Sequence, residues 1–261
     1  MAQDGMKTKK EIVANWLPRY TGQPLADFGE YILLTNFSNY LEAFCAMEGT
    51  TVVNPSANMP CATSNNITAI NFGMGSPNAA TIMDLLTAIQ PKATLFLGKC
   101  GGLKHVNKLG DIILPLAAIR CEGTSDQYFP TEVPALPSFN LQRAAAEEIE
   151  KANVDYWTGT VLTTNRRVWE FDNDFKEYLV RIRAMAVDME SATLFSVGFY
   201  NGIPCGALLL VSDQPMIAAG IKTHESDMKV SALYTKSHLK IGIATLKNIA
   251  ASGDSIKHLR F

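Results

Sequence analysis

The feature that most constrains the fold is a recurrence: apolar runs of strand length return along the chain, separated by stretches with helical caps and composition. Tyr31–Thr35, Ile67–Phe72, Ala93–Leu97, Asp111–Leu114, Ala186–Met189 and Ala207–Val211 read as strands. Strands buried on both faces are continuously apolar, and helices between them are what parallel pairing requires. Ser76 and Pro77 read as N-cap and first helical residue before NAATIMDLLTAI, which Pro91 closes. LQRAAAEEIEKAN consists largely of helix formers, and SATLFSVGFYNG ends on Gly202 in a stop position. Val230, Leu233, Leu239, Ile243 and Leu246 recur at helical spacing and predict a terminal helix from about Asp227 to Ala250. The expected fold class is therefore α/β, a single domain with a central mixed, mostly parallel sheet flanked by helices. No repeat or low-complexity linker divides it, so residues 26–261 read as one domain and 1–25 as an N-terminal extension, partly flexible. The stretch Arg120–Ser138, with Pro130, Pro134 and Pro137, reads as a long surface excursion.

Composition removes several functional classes. The 261 residues are 47% apolar and 18% charged, which suits two-sided strands and argues against disorder. Twenty-three basic residues face twenty-five acidic ones for a formal charge of -2, so no overall positive field awaits a nucleic acid or an anionic membrane. An anionic substrate has to be met locally. No apolar run reaches the roughly 20 residues of a membrane span, and MAQDGMKTKK lacks an apolar signal core. The expected compartment is the cytoplasm. Cys45, Cys61, Cys100, Cys121 and Cys205 are never paired as C-x-x-C and read as buried thiols. His105, His224, His238 and His258 show no H-E-x-x-H spacing, so neither a metal nor a cofactor is expected.

Four segments place polar or glycine-rich residues directly after apolar runs, where open α/β sheets bind ligands: FGMGSPNAAT, LGKCGGL, VDMESA and VSDQP. Each alone also reads as a tight strand-to-helix turn. Asn78 stands where the dinucleotide fingerprint needs a third glycine, and LGKCGGL lacks the G-x-x-x-x-G-K-[ST] spacing. Asp188 and Glu190, two apart, share one side of an extended chain; acids there also serve as helix N-terminal charges. Asp213 has the same double reading, as a site residue or a cap.

Together and in this order, the four segments resemble the purine nucleoside phosphorylase and nucleosidase superfamily, with its G-x-G-type loop, V-x-M-E ribose motif and S-D catalytic motif. Within it the chain looks most like the AMP nucleosidases, which hydrolyse AMP to adenine and ribose 5-phosphate. The likeness runs from about Tyr31 through NFGMGSPNAATIMDLL, GKCGGL, LGD, TGTVLTTNRRVWE, VDMESATLF and VSDQP to the C-terminal helix. It implies a nucleoside phosphorylase-like catalytic domain in which Asp213 is general acid to the purine and Ser212 orients it. Glu190 then takes the ribose hydroxyls, with Asp188 sharing that task, Met189 against the sugar and Met74 over its other face. Trp169 or Phe171 stacks on the base. Gly75, Ser76, Gly98, Lys99, Gly101, Arg166 and Arg167 supply the loops and the 5′-phosphate site, with Lys222 a further cation.

Departures from the six-subunit phosphorylases favour water as nucleophile. Phe96 and Lys99 stand where those enzymes place an arginine and a serine for orthophosphate, and TNFSNY lacks their other arginine. The water-positioning glutamate of the methylthioadenosine nucleosidases has no clean match, since Asn39 or Tyr40 falls there, with Glu42 nearby. A purine nucleoside phosphorylase, a nucleosidase for another adenine nucleoside and a non-catalytic nucleotide-binding sensor are the alternatives. The resemblance also implies a homo-oligomer, a hexamer. Because the chain begins almost directly at its first strand, it is expected to be a short form without the regulatory N-terminal domain of longer members.

Overall fold

The computed structural model describes residues 7–252. Among them eight strands form one mixed sheet: β1 (Tyr31–Thr35), β2 (Cys61–Ser64), β3 (Ile67–Asn71), β4 (Ala93–Gly102), β5 (Ile112–Cys121), β6 (Tyr156–Thr164), β7 (Ala186–Asp188) and β8 (Cys205–Asp213). Their order is β2-β3-β1-β4-β7-β6-β5-β8, and β8 also pairs in parallel with β4, so the strands from β4 onward close into a ring. Pairing is antiparallel at β2–β3, β4–β7 and β5–β8 and parallel elsewhere. The predicted class, a mostly parallel mixed sheet flanked by helices, is the one observed. Every residue of β1, β4 and β8 is buried, which is why these segments read as unbroken apolar runs.

Helices cover both faces. Val13 and Leu17 of α1 (Lys9–Thr21), Ile82 and Met83 of α3 (Ser76–Leu85) and Phe195 of α6 (Ser191–Tyr200) join one core cluster. Tyr40 and Phe44 of α2 (Ser38–Glu48), Leu141 and Ile149 of α4 (Phe139–Lys151) and Leu239 and Leu246 of α7 (His224–Ser252) join the other. The short α5 (Asn173–Arg181) supplies Leu179 to a satellite cluster with Leu162, Trp169 and Val187. Within the segment 1–25, α1 starts on a capping box between Thr8 and Glu11 and ends on Gly22 in the left-handed region. Residues 1–6 of that extension, and His258, lie outside the described residues.

Several local expectations are corrected. Ser76 is not the N-cap of α3; Gly75 is, at φ 93°, and the Ser76 hydroxyl donates instead to the Met189 carbonyl at 2.7 Å. β4 continues through the glycine-rich GKCGG, because Gly98–Gly102 pair with β8 and β7 rather than turning. Of the cysteines, Cys61, Cys100 and Cys205 are buried as expected, whereas Cys45 is only partly buried and Cys121 is exposed. The excursion after β5 is pinned: the Arg120 guanidinium donates to the carbonyls of Phe129, Pro130 and Val133, and Ala118 bridges to Ala135. Among the described residues no helix is long and apolar enough to cross a membrane, and no cluster of His, Cys, Asp or Glu could hold a metal ion.

Candidate active site

The ends of β4, β7 and β8 meet the loops after β1, β3 and β6 in one cleft. Its walls include Asn36 and Phe37, Met74, Lys99, Arg166, Arg167, Trp169, Met189, Glu190, Asp213, Lys222 and Asp227. The topology explains the gathering: parallel strands put their C-terminal ends together, and the β4–β8 pairing brings Lys99 and Asp213 to the same rim.

Glu190 is buried at the start of α6 and its carboxylate is held from two sides. Gly75 N–H donates to Oε1 at 2.7 Å and Met189 N–H to Oε2 at 3.2 Å. The first bond needs Gly75, whose positive φ side chains other than hydrogen rarely adopt. Burial, and then the neighbouring charge of Asp188, push the Glu190 carboxyl up to about 8, against the pull of the two N–H donors and Asn36. Asp188 uses both its oxygens inside the protein: the Thr163 hydroxyl donates to Oδ1 at 2.7 Å and Ser191 N–H to Oδ2 at 2.8 Å. Thr163 in turn accepts Ala192 N–H at 2.9 Å, so Asp188 ties β6 to the first turn of α6. Of its two sequence readings, the helix-start reading is the one these bonds serve.

Asp213 ends β8. The Ser212 hydroxyl reaches Oδ1 at 2.7 Å and also lies 3.3 Å from the Cys100 carbonyl, while Lys222 Nζ stands 3.3 Å from the same Oδ1. Lys99 is nearly enclosed, donating to Asp227 Oδ1 at 2.9 Å and Ser231 Oγ at 2.7 Å beneath the Phe37 ring. Arg166 pairs with Asp172 and Arg167 with Glu170. Each cation proposed from sequence for a phosphate thus already has a carboxylate partner in the chain.

The cleft gathers Asp213, Glu190, Asp188, Met189, Met74, Trp169, Lys99, Gly101, Arg166 and Arg167, together with Lys222. Ser212, Gly75, Ser76 and Gly98 stand behind the walls, the first three through the hydrogen bonds just given. Gly98 serves packing: a Cβ there would meet the Phe96 ring at 2.4 Å. Phe171 is not brought to the cleft; it is 73% exposed and lies against the Arg166 guanidinium on the outside. Glu42 faces solvent on α2, Asn39 donates to Thr235, and Tyr40 is buried on His238, so none of them reaches the cleft wall. Phe96 is a core residue packed on Phe72. Asn36, Phe37 and Asp227 were missed by sequence reasoning; Asn36 and Phe37 carry the signal used elsewhere, polar or aromatic residues just past an apolar strand, whereas Asp227 carries none.

Comparison with known proteins agrees with this fold. The phosphorylase superfamily profile matches residues 30–247. The crystal structure of AMP nucleosidase from Bacteroides thetaiotaomicron VPI-5482 is 54% identical and superposes with a TM-score of 0.85, covering 94% of this chain and 99% of that one. AMP nucleosidase of Escherichia coli K12 is 29% identical across 92% of this chain and 59% of its own length, so the chain spans less than two thirds of that relative. Uridine phosphorylase from Vibrio fischeri ES114, 18% identical with a TM-score of 0.77 and covering 86% of this chain and 94% of its own, shares the fold. With the profile spanning most of its length and the cleft at the strand ends, the chain belongs to the phosphorylase superfamily.

Proposed function

We propose that the chain hydrolyses the N-glycosidic bond of AMP to adenine and ribose 5-phosphate. The observation that carries the reading is a cleft that holds together a fixed carboxyl group, Glu190, and an acid at a strand end, Asp213, among four cations. Adenine is a poor leaving group, and the sugar passes through an oxocarbenium-like state as the bond to it breaks. Asp213 protonates the base at N7, so that the electron pair of the broken bond is taken up by a neutral leaving group. Lys222 at 3.3 Å then pairs with the carboxylate left behind. Glu190 accepts the ribose hydroxyls, with Met189 and Met74 against the sugar, and Trp169 gives the base an aromatic wall.

Water is the nucleophile in this reading because Phe96, at the place of a phosphate-binding arginine, is fully buried in the core. The cations Lys99, Lys222, Arg166 and Arg167 provide for the 5′-phosphate. The working form in this proposal is a cytoplasmic homo-oligomer, a hexamer. Its catalytic test is product analysis of AMP treated with the purified protein, with and without orthophosphate. Adenine and ribose 5-phosphate are expected in both; ribose 1,5-bisphosphate formed only with orthophosphate would replace hydrolysis by phosphorolysis.

A further inference from the structure

We propose that the side-chain carbonyl of Asn36 holds the attacking water, an inference that rests on the AMP hydrolysis reading above. Stereochemistry narrows the search. In a β-nucleotide the 2′- and 3′-hydroxyls lie on the ring face opposite the base, and a nucleophile that displaces the base arrives on that same face. The water therefore sits beside the group that takes those hydroxyls, which is Glu190.

Asn36 follows β1 directly, lines the cleft and stands near enough to Glu190 for its side chain to favour the charged form of that carboxyl. Both Glu190 oxygens already act as acceptors toward Gly75 and Met189. In the ionised form that takes the ribose hydroxyls Glu190 only accepts, so Asn36 then offers it the amide NH2 and turns Oδ1 elsewhere. That Oδ1 is buried and has no hydrogen-bond partner among the described residues. Buried acceptors are rarely left unsatisfied, so the atom calls for a donor, and the O–H of a water supplies one.

An acceptor is also what the chemistry requires. A water that donates a hydrogen bond keeps a lone pair free for C1′, whereas a water that accepts from a cation has that lone pair engaged. Lys99 is a donor only and is already spent on Asp227 and Ser231. Asp227 Oδ1 lies between Lys99 and Lys222, and Asp188 has both oxygens occupied. In the step itself the water oxygen bonds to C1′ as the C1′–N9 bond breaks with its electron pair on N9, and N7 takes the Asp213 proton. The bound water then loses one proton to solvent, from which Asp213 recovers its own.

The test is a competition between nucleophiles. AMP is turned over in water containing methanol, and ribose 5-phosphate is measured against methyl α-ribofuranoside 5-phosphate. Ribose 5-phosphate should dominate for the wild type, because Asn36 favours a bound water over the bulkier alcohol. In Asn36→Leu, which keeps the bulk and removes the acceptor, the methyl product should rise at least about fivefold relative to ribose 5-phosphate. The ratio does not depend on how much of a variant is folded, and Asn36→Ala gives the same readout if the leucine variant is scarce. A ratio unchanged from wild type in both variants overturns the assignment. A wild-type enzyme that releases no ribose 5-phosphate from AMP refutes the hydrolysis reading itself, a different outcome.

Discussion

Asp213 accepts the Ser212 hydroxyl on Oδ1 at 2.7 Å, a bond that an asparagine carbonyl can also accept. Asp213→Asn therefore preserves the local geometry while removing the transferable proton. Turnover of AMP should fall by at least about 100-fold, the scale of a lost general acid, with nucleotide binding largely intact. Adenine release and equilibrium binding read the two separately, and an undiminished turnover number excludes Asp213 as the acid. Glu190 and Asp188 support a prediction of a different kind. The Glu190 carboxyl sits at about 8 in the folded protein, above its ordinary 4.5, through burial first and Asp188 second. A group whose folded value is raised contributes stability in its protonated form, complete below about pH 4.5 and lost as pH rises through about 8. Asp188 is itself raised by burial, so it acts in the same direction. Thermal unfolding midpoints should thus decline between pH 5 and 8.5 in the wild type and decline less steeply in Asp188→Asn. Parallel curves for the two proteins would show that the carboxyls are not coupled.

At the scale of elements, α1 is held by buried side chains, Val13, Leu17 and Thr21, and by a surface ion pair. Leu17 is inside the core shared with α3 and α6, whereas Lys9, half exposed, reaches Asp84 at 2.7 Å. Leu17→Ala should cost about 2–5 kcal/mol in denaturant unfolding, the range for a leucine truncated in a packed interior. Lys9→Ala should cost about 0–1 kcal/mol, because exposed ion pairs are offset by side-chain entropy and solvent screening; equal losses would mean that α1 is clamped by charge. The same contrast between core and surface explains which elements were legible in the sequence. β1 and β8 are buried on both faces, so their composition announced them. β2 is a short edge strand, and β6 has a first half that is only partly buried and includes Gly159, so neither shows the apolar run of a central strand. The glycines of GKCGG looked like a turn, yet a Cβ at Gly98 would meet Phe96 and one at Gly101 would meet Pro215 at 2.9 Å. They are small because neighbouring side chains press on β4. Asp213 and Glu190 were legible since each closes an apolar run. Asp227 was not, because its partner Lys99 lies 128 residues away and only the packing of α7 against β4 brings them together.

Over the whole molecule the charge is nearly balanced, a formal -2, and the cations of the cleft share in that balance: Lys99 and Lys222 share Asp227, Lys222 also faces Asp213, and each arginine has its own acid. A phosphate dianion is then not drawn in by a long-range field. It must compete for ammonium and guanidinium groups that already have partners, and its advantage rests on geometry: three oxygens can engage several donors at once where a carboxylate engages one or two. Two consequences follow for selectivity. AMP should be cleaved with higher kcat/KM than adenosine, and the preference should shrink as sodium chloride is raised from 50 to 500 mM, since the half-exposed arginine pairs at the rim are open to screening. Adenosine lacks the charge, so its own kcat/KM should be nearly independent of salt over the same range and serves as the internal control. Measured side by side, equal efficiency on the two substrates removes the phosphate from recognition. A preference for AMP untouched by salt would instead place the phosphate on the enclosed Lys99, whose ammonium is shielded from solvent by Phe37 and Asp227.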